Sequence, residues 1–276
     1  MRRLLLALFA VASFCQIAQG ATHSFMEENN LHLESDLTGD ETYGISRNTF
    51  NEIMAKAEKI FAPIVANLGG VLDIQGDFTD STVNAYASRE GNTYIVRMFG
   101  GLAKRKEITP DGFAMVVCHE LSHHIGGIPL YAGEEWASNE GNSDYVASLN
   151  CMRKMFADDT TDVKSLDPIA VNKCKAVYKG QDLRSCYHIL AGAKSCADLL
   201  AALNGETVSF GKTSKVVVRK TMDTHPPAIC RLQTYVAGAL CSAKWDDSMI
   251  PSTKEEAYRV SCPTGEYARP RCWYAP

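Results

Sequence analysis

Between residues 46 and 68, apolar side chains recur at Phe50, Ile53, Met54, Ala57, Ile60, Phe61, Ile64, Val65 and Leu68. Steps of three and four are the period of one helix face, so the pattern predicts a long amphipathic helix that Gly69-Gly70 ends. Three β-type runs follow at 71–74, 82–87 and 93–99, the last two separated by the turn-like Arg89-Glu90-Gly91-Asn92. They predict a small sheet. Thr109-Pro110-Asp111 offers a capping hydroxyl and then proline at the first helical position, where its missing N–H costs nothing, so a helix should run from there to Gly126-Gly127. A second helix is expected over 134–155, with Trp136, Tyr145, Val146, Leu149 and Met152 on its apolar side. Shorter helical patterns lie at 167–178, 182–190 and 195–203, followed by a basic extended run at 212–220 and a helix after Pro227. The tail from Ser252 reads as loop. A sheet region followed by helices is the α+β pattern.

Ahead of this, Arg2-Arg3, an apolar run over 4–14 and the small-residue pattern Ala18-Gln19-Gly20 read as a leader cleaved after residue 20. The expected organisation is a signal peptide at 1–20, an N-terminal segment at 21–45, and one catalytic domain over 46–276 whose C-terminal region is cysteine-rich. No other stretch approaches the ~18 apolar residues of a membrane span, so no stable membrane insertion is expected once the leader is gone. Ten cysteines suit an oxidising compartment, periplasmic or secreted. Losing Cys15 with the leader leaves an odd number, and eight of those lie from Cys151 onward. The expectation is four disulfides among these eight, with Cys118 reduced. A formal net charge of −4 supplies no basic field, which argues against nucleic-acid partners.

The chemistry sits at His119-Glu120-Leu121-Ser122-His123. Spacing of i, i+4 puts both imidazoles on one helix face, where they can share a metal ion, and Glu120 is offset so that its carboxylate reaches the metal's open side as a general base. A catalytic zinc site needs a third protein ligand. Glu140 lies 17 residues after His123, with Asp144 one turn further on. Glu140 is the candidate third ligand, and Asp144 the candidate acceptor of a ligand histidine's free ring N–H. One Zn2+ per chain is expected. His124 points about 100° away from His123 and reads as packing or surface, while His23, His32 and His188 show no partner pattern.

With its downstream E-x-x-x-D, this motif resembles the gluzincin metallopeptidases, and most closely the family containing HtpX and the CAAX prenyl proteases with their soluble periplasmic relatives. Asn84-Ala85-Tyr86 ahead of a β-run, Gly101-Leu102 before the active helix, and Thr224-His225-Pro226 with Arg231 support the resemblance, which covers about residues 46–240. The chain departs from the family pattern at Cys118, Ser122 and Ser143. The resemblance implies a zincin-like fold and hydrolysis of protein or peptide substrates. It further implies that the strand at Asn84 and Ala85 pairs with substrate backbone. His225 would return to the cleft, either as a donor to the reaction's oxyanion or as an occupant of zinc's open position, and Arg231 would pin that segment on Asp144 or Glu140. The competing expectation is a non-catalytic, zinc-stabilised envelope module with a binding or chaperone-like role. Intact Glu120 argues against it, because a structural site needs no base.

Overall fold

Ser46 accepts the Thr49 N–H at 3.2 Å and so caps helix α1 (Arg47–Asn67), which buries Phe50, Ala57, Phe61 and Val65 along one face. The chain then turns at Gly69, whose φ of 85° a residue with a Cβ resists. The computed structural model describes residues 21–32, 44–163 and 165–276. The leader expected at 1–20 lies outside these, as does the 33–43 part of the N-terminal segment.

Strands β2 (Val71–Asp77) and β4 (Thr93–Phe99) pair in parallel, and β3 (Ala85–Glu90) pairs antiparallel to β4. The middle strand starts at Ala85 and not at 82. Asp80 accepts the Thr82 N–H at 2.8 Å and Asn84 accepts the Ala85 N–H at 3.0 Å, so side chains take donors that a ladder would use. A strand absent from the sequence pattern, β1 (Thr22–Ser24), adds antiparallel to β3 and gives the order β1-β3-β4-β2. At three residues it is too short to show a period.

After the one-turn α2 (Gly100–Ala103), helix α3 (Pro110–Ile125) runs through the interior, capped by Thr109 and buried at every residue from Gly112 to Ile125. It packs on α1, β3 and β4 and, on another side, on α7 (Gly180–Leu203). The patterns at 182–190 and 195–203 are therefore one helix. Gly192 sits in it because the two backbones nearly touch: a Cβ there would lie 2.6 Å from the Asp111 carbonyl oxygen, and one on Gly112 would lie 2.0 Å from Ser195 Oγ.

The second predicted helix begins at Glu140, not at 134. Residues 130–138 form a reversal closed by a bridge between Leu130 and Ser138, and Asn139 then accepts the Asn142 N–H at 3.0 Å to cap α4 (Glu140–Val146). A π-type turn (Ala147–Cys151) leads into α5 (Met152–Met155). Helices α6 (Pro168–Val177) and α8 (Ala228–Leu240) complete the bundle. No strand forms at 212–220, whose contact with the tail includes a Val218 N–H to Arg271 carbonyl bond of 2.9 Å. The tail holds a further short helix, α9 (Lys254–Arg259), opened by a reciprocal capping box of Thr253 and Glu256.

The cysteine expectation is corrected at two positions. Cys118 is bonded to Cys151, and the other pairs are Cys174–Cys186, Cys230–Cys272 and Cys241–Cys262. Cys196 is the buried free thiol among the described residues, its Sγ 3.3 Å from the Gly112 carbonyl oxygen where α7 meets α3. Cys118 neighbours a histidine in sequence but leaves α3 in another direction, toward the π-type turn. Closing loops of 33 and 42 residues contributes roughly 3–4 kcal/mol each in the chain-entropy model, so the Cys118 and Cys230 bridges brace the molecule. The result is a mixed α/β fold with a small four-stranded sheet and several disulfides. Among the described residues, no helix is long and apolar enough to cross a membrane.

Candidate metal centre

Helix α3 presents His119 and His123 on one face, and the reversal before α4 turns Glu140 and Asp144 back toward them. That reversal is fixed by polar groups. Ser138 Oγ donates to the Gly127 carbonyl at 2.6 Å, Asn142 Nδ2 donates to the Gly126 and Gly127 carbonyls at 3.2 and 2.9 Å, and Arg269 donates to Asn142 Oδ1 at 2.9 Å.

The two imidazoles meet with Nε2 atoms 3.1 Å apart, His119 Nε2 lies 3.2 Å from Glu140 Oε2, and His123 Nε2 lies 3.5 Å from Glu140 Oε1. These three residues form a group that could hold a metal ion. The spacing fits one: ligands at about 2.0–2.1 Å from a tetrahedral centre, the length of zinc–nitrogen bonds, stand about 3.3 Å from one another. The tautomers fit as well. His119 Nδ1 is 2.8 Å from Asp144 Oδ1, and His123 Nδ1 is 2.7 Å from the Ser138 carbonyl and 3.0 Å from Ser143 Oγ. Each Nδ1–H then has an acceptor, which leaves both Nε2 lone pairs directed at the shared space.

Electrostatics point the same way. Asp144 is matched by Arg231, whose Nε and Nη2 donate to Oδ2 and Oδ1 at 2.8 and 2.7 Å. Glu140 accepts the Tyr131 hydroxyl at 2.5 Å on Oε1, but its Oε2 has no hydrogen-bond partner, and neither has either oxygen of Glu120. His119, Glu120, His123 and Glu140 are all fully buried. Two carboxylates so placed, with the neighbouring Arg231 guanidinium hydrogen-bonded to Asp144, call for a cation or a proton. Burial pushes Glu120 up to about 8. Burial also works against a charge on His119, but Asp144 and Glu140 beside it outweigh that and lift it to about 9. Glu140 is held well below the ordinary carboxylate range, since burial is overcome by His225, His119 and His123.

The other expected site residues fall around this centre in different ways. Arg231, fully buried on α8, also donates to the Phe25 carbonyl and stands 3.9 Å from Glu140 Oε2. His225 is part-exposed, with Nε2 at 2.8 Å from the Ser24 carbonyl oxygen and 3.4 Å from Glu140 Oε2. Asn84 and Ala85 face another part of this chain. The Asn84 side chain bonds the Met26 backbone in both directions at 3.3 Å, and the Ala85 carbonyl takes the Phe25 N–H at 3.0 Å. His124 is fully buried, stacked on Tyr94 and Trp136. The three histidines without a sequence partner all acquire one. His188 meets Asp111 at 2.9 Å, His32 meets Ser81 at 3.2 Å, and His23 stacks on Tyr131 at 4.3 Å between the rings.

Sequence reasoning missed Tyr131, His23 and Phe25, whose ring stands edge-on to His119 at 5.3 Å. An aromatic residue in the short connection between His123 and Glu140 was the one signal available for Tyr131. For the other two there was none. A groove of about 440 Å³ lies beyond His225 and Arg231, between residues 26–31 and the end of α7, and none of His119, Glu120, His123 and Glu140 lines it. A second groove of about 430 Å³, between α8 and the tail, contains none of these residues. No protein-family model matches the chain, and neither a curated protein nor a solved structure does.

Proposed function

We propose that the chain is a zinc-dependent endopeptidase of the zincin type, with His119, His123 and Glu140 as the metal ligands and Glu120 as general base. The observation that carries this reading is the pairing of three donors at the edge spacing of a tetrahedral site with a fourth buried carboxylate, Glu120, that bonds to nothing. Two imidazoles and a carboxylate with a position left open are the donor set of catalytic zinc. When bound, zinc supplies an acidified water and polarises a substrate carbonyl.

The protein's own groups do the rest. Glu120 receives the proton of the attacking water and passes it to the departing amine. Asp144 and the Ser138 carbonyl hold the Nδ1–H of His119 and His123, so both rings keep the tautomer that can bind metal. Arg231 fixes Asp144 by a two-bond fork, which ties α8 to the ligand helices. His225 donates to a backbone carbonyl beside the centre, the geometry of an oxyanion donor, and that supports this role over occupation of zinc's open position. The leader-like pattern at 1–20 and the disulfides support action in a periplasmic or extracellular space.

One observation favours the second reading, a zinc-stabilised module without activity: the ligands are entirely shut off from solvent. Glu120 separates the two. Glu120→Gln should retain zinc and lose at least ~10²-fold in the rate of casein or quenched-peptide hydrolysis. A Glu120→Gln variant that hydrolyses as fast as an active parent refutes the assignment of Glu120.

A further inference from the structure

A peptide hydrolase needs an extended substrate at its metal, yet His119, Glu120, His123 and Glu140 have no contact with solvent. Something that can leave must cover them. Residues 22–26 lie over the two imidazoles. They lie as strand β1 on the free edge of β3, with Thr22, His23 and Ser24 opposite Ser88, Ala87 and Tyr86, and the Phe25 N–H continues the ladder to Ala85. His23 and Phe25, two residues apart, point to one side of the strand. Phe25 stands edge-on to His119, and His23 lies over His123 at 5.5 Å between the rings. Two carbonyls of the segment take donors from outside the sheet, Ser24 from His225 and Phe25, just past the strand, from Arg231.

An extended peptide held between a sheet edge and a wall of donors is how strand addition binds a substrate backbone. We propose that residues 22–26 occupy the substrate's own position, a built-in strand that keeps the centre latent until it is withdrawn, and that Phe25 marks a pocket for a large aromatic substrate side chain. This rests on the endopeptidase reading of the centre.

The strand is built to leave. It is three residues long, at a sheet edge, and its exit is held by bonds of 3.2–3.4 Å from Asn84 to Met26, from Tyr86 to Glu28, from Asn29 to the Val83 carbonyl, from the Val83 N–H to the Leu31 carbonyl and between Ser81 and His32. His23 Nε2 is buried there without a partner, which weakens the docked state. Edge segments open at lower free energy than central strands, and withdrawal here must also lift Phe25 and Met26 out of the core.

The test uses the full zinc-loaded chain with two variants. Phe25→Ala removes the ring over His119. His23→Pro removes a ladder N–H, since His23 and Ala87 form a hydrogen-bonded pair in the register that Phe25 and Ala85 set. Acetohydroxamate, a small metal-directed probe, should bind each variant at least ~10-fold more tightly than the parent. A synthetic peptide of residues 21–27 added in trans should reverse the gain in Phe25→Ala. Quenched-peptide hydrolysis should rise in parallel. Affinities within twofold of the parent in both variants overturn the proposal. Should either variant misfold, hydrogen exchange at the Phe25 amide of the parent decides: saturating acetohydroxamate plus an aromatic-containing substrate peptide should speed it at least ~10-fold, and unchanged exchange overturns the proposal. Tighter probe binding without hydrolysis retains the latent strand and removes the endopeptidase. Hydrolysis at one rate in all three proteins does the reverse.

Discussion

Helix α3 carries two histidine–aspartate pairs that look alike at first contact. Near its middle, His119 Nδ1 lies 2.8 Å from Asp144; at its first turn, Asp111 lies 2.9 Å from Nδ1 of His188 on α7. The other ring nitrogen tells them apart. His188 Nε2 faces the Thr161 carbonyl at 3.1 Å and the ring stacks on Phe156, so the protonated ring, with an N–H on each nitrogen, satisfies the whole arrangement, and the pair fastens α7 to α3. His119 Nε2 faces another imidazole lone pair and Glu140, and no single proton can serve Glu120 and Glu140 Oε2 as well. A short histidine–aspartate contact is therefore not a functional signal by itself. The atoms left unsatisfied around it are.

The comparison breaks most visibly at the metal. Glu140→Ala should lower zinc affinity by more than the 10–100-fold typical of an outer partner, and Asp144→Ala by about that range. In contrast, His188→Gln and Asp111→Asn should leave it within twofold. Isothermal titration of the four proteins checks this, and a large loss in either α7-joint variant would erase the distinction.

A smaller effect sharpens the other half. Despite partial burial, Asp111 and the Thr161 carbonyl raise the pKa of His188 above its ordinary 6.5. A raised histidine contributes stability that is fully present below its unfolded value and fades as pH rises through the folded one. The difference in Tm between the parent and His188→Gln should therefore be largest below about pH 6.5 and shrink as pH rises above it. A difference that is constant or grows with pH contradicts the pairing.

Helices α1 and α3 were legible because period and cap agree: Ser46 and Thr109 stand where the apolar patterns begin. The meeting of His119 and His123 was legible because helix geometry alone brings i and i+4 together, and the approach of Glu140 because the short reversal leaves the chain little choice. The start of α4 was not, since Trp136 continues an apolar pattern that the polar network of Ser138, Asn139 and Asn142 overrides. Cysteine parity announced one unpaired thiol but could not say which, because Cys118 and Cys196 are separated only by tertiary contacts. Strand β1, His23 and Phe25 were invisible for a similar reason. Their meaning comes from lying on the edge of β3, almost a hundred residues ahead of the motif they cover.

Zinc titration of the metal-free parent against a competing chelator tests the central claim most directly. One equivalent should bind per chain, at sub-micromolar affinity, and that equivalent should disappear in His119→Ala, His123→Ala and Glu140→Ala alike. A parent that takes up no zinc, or one whose single zinc survives all three substitutions, would contradict the account.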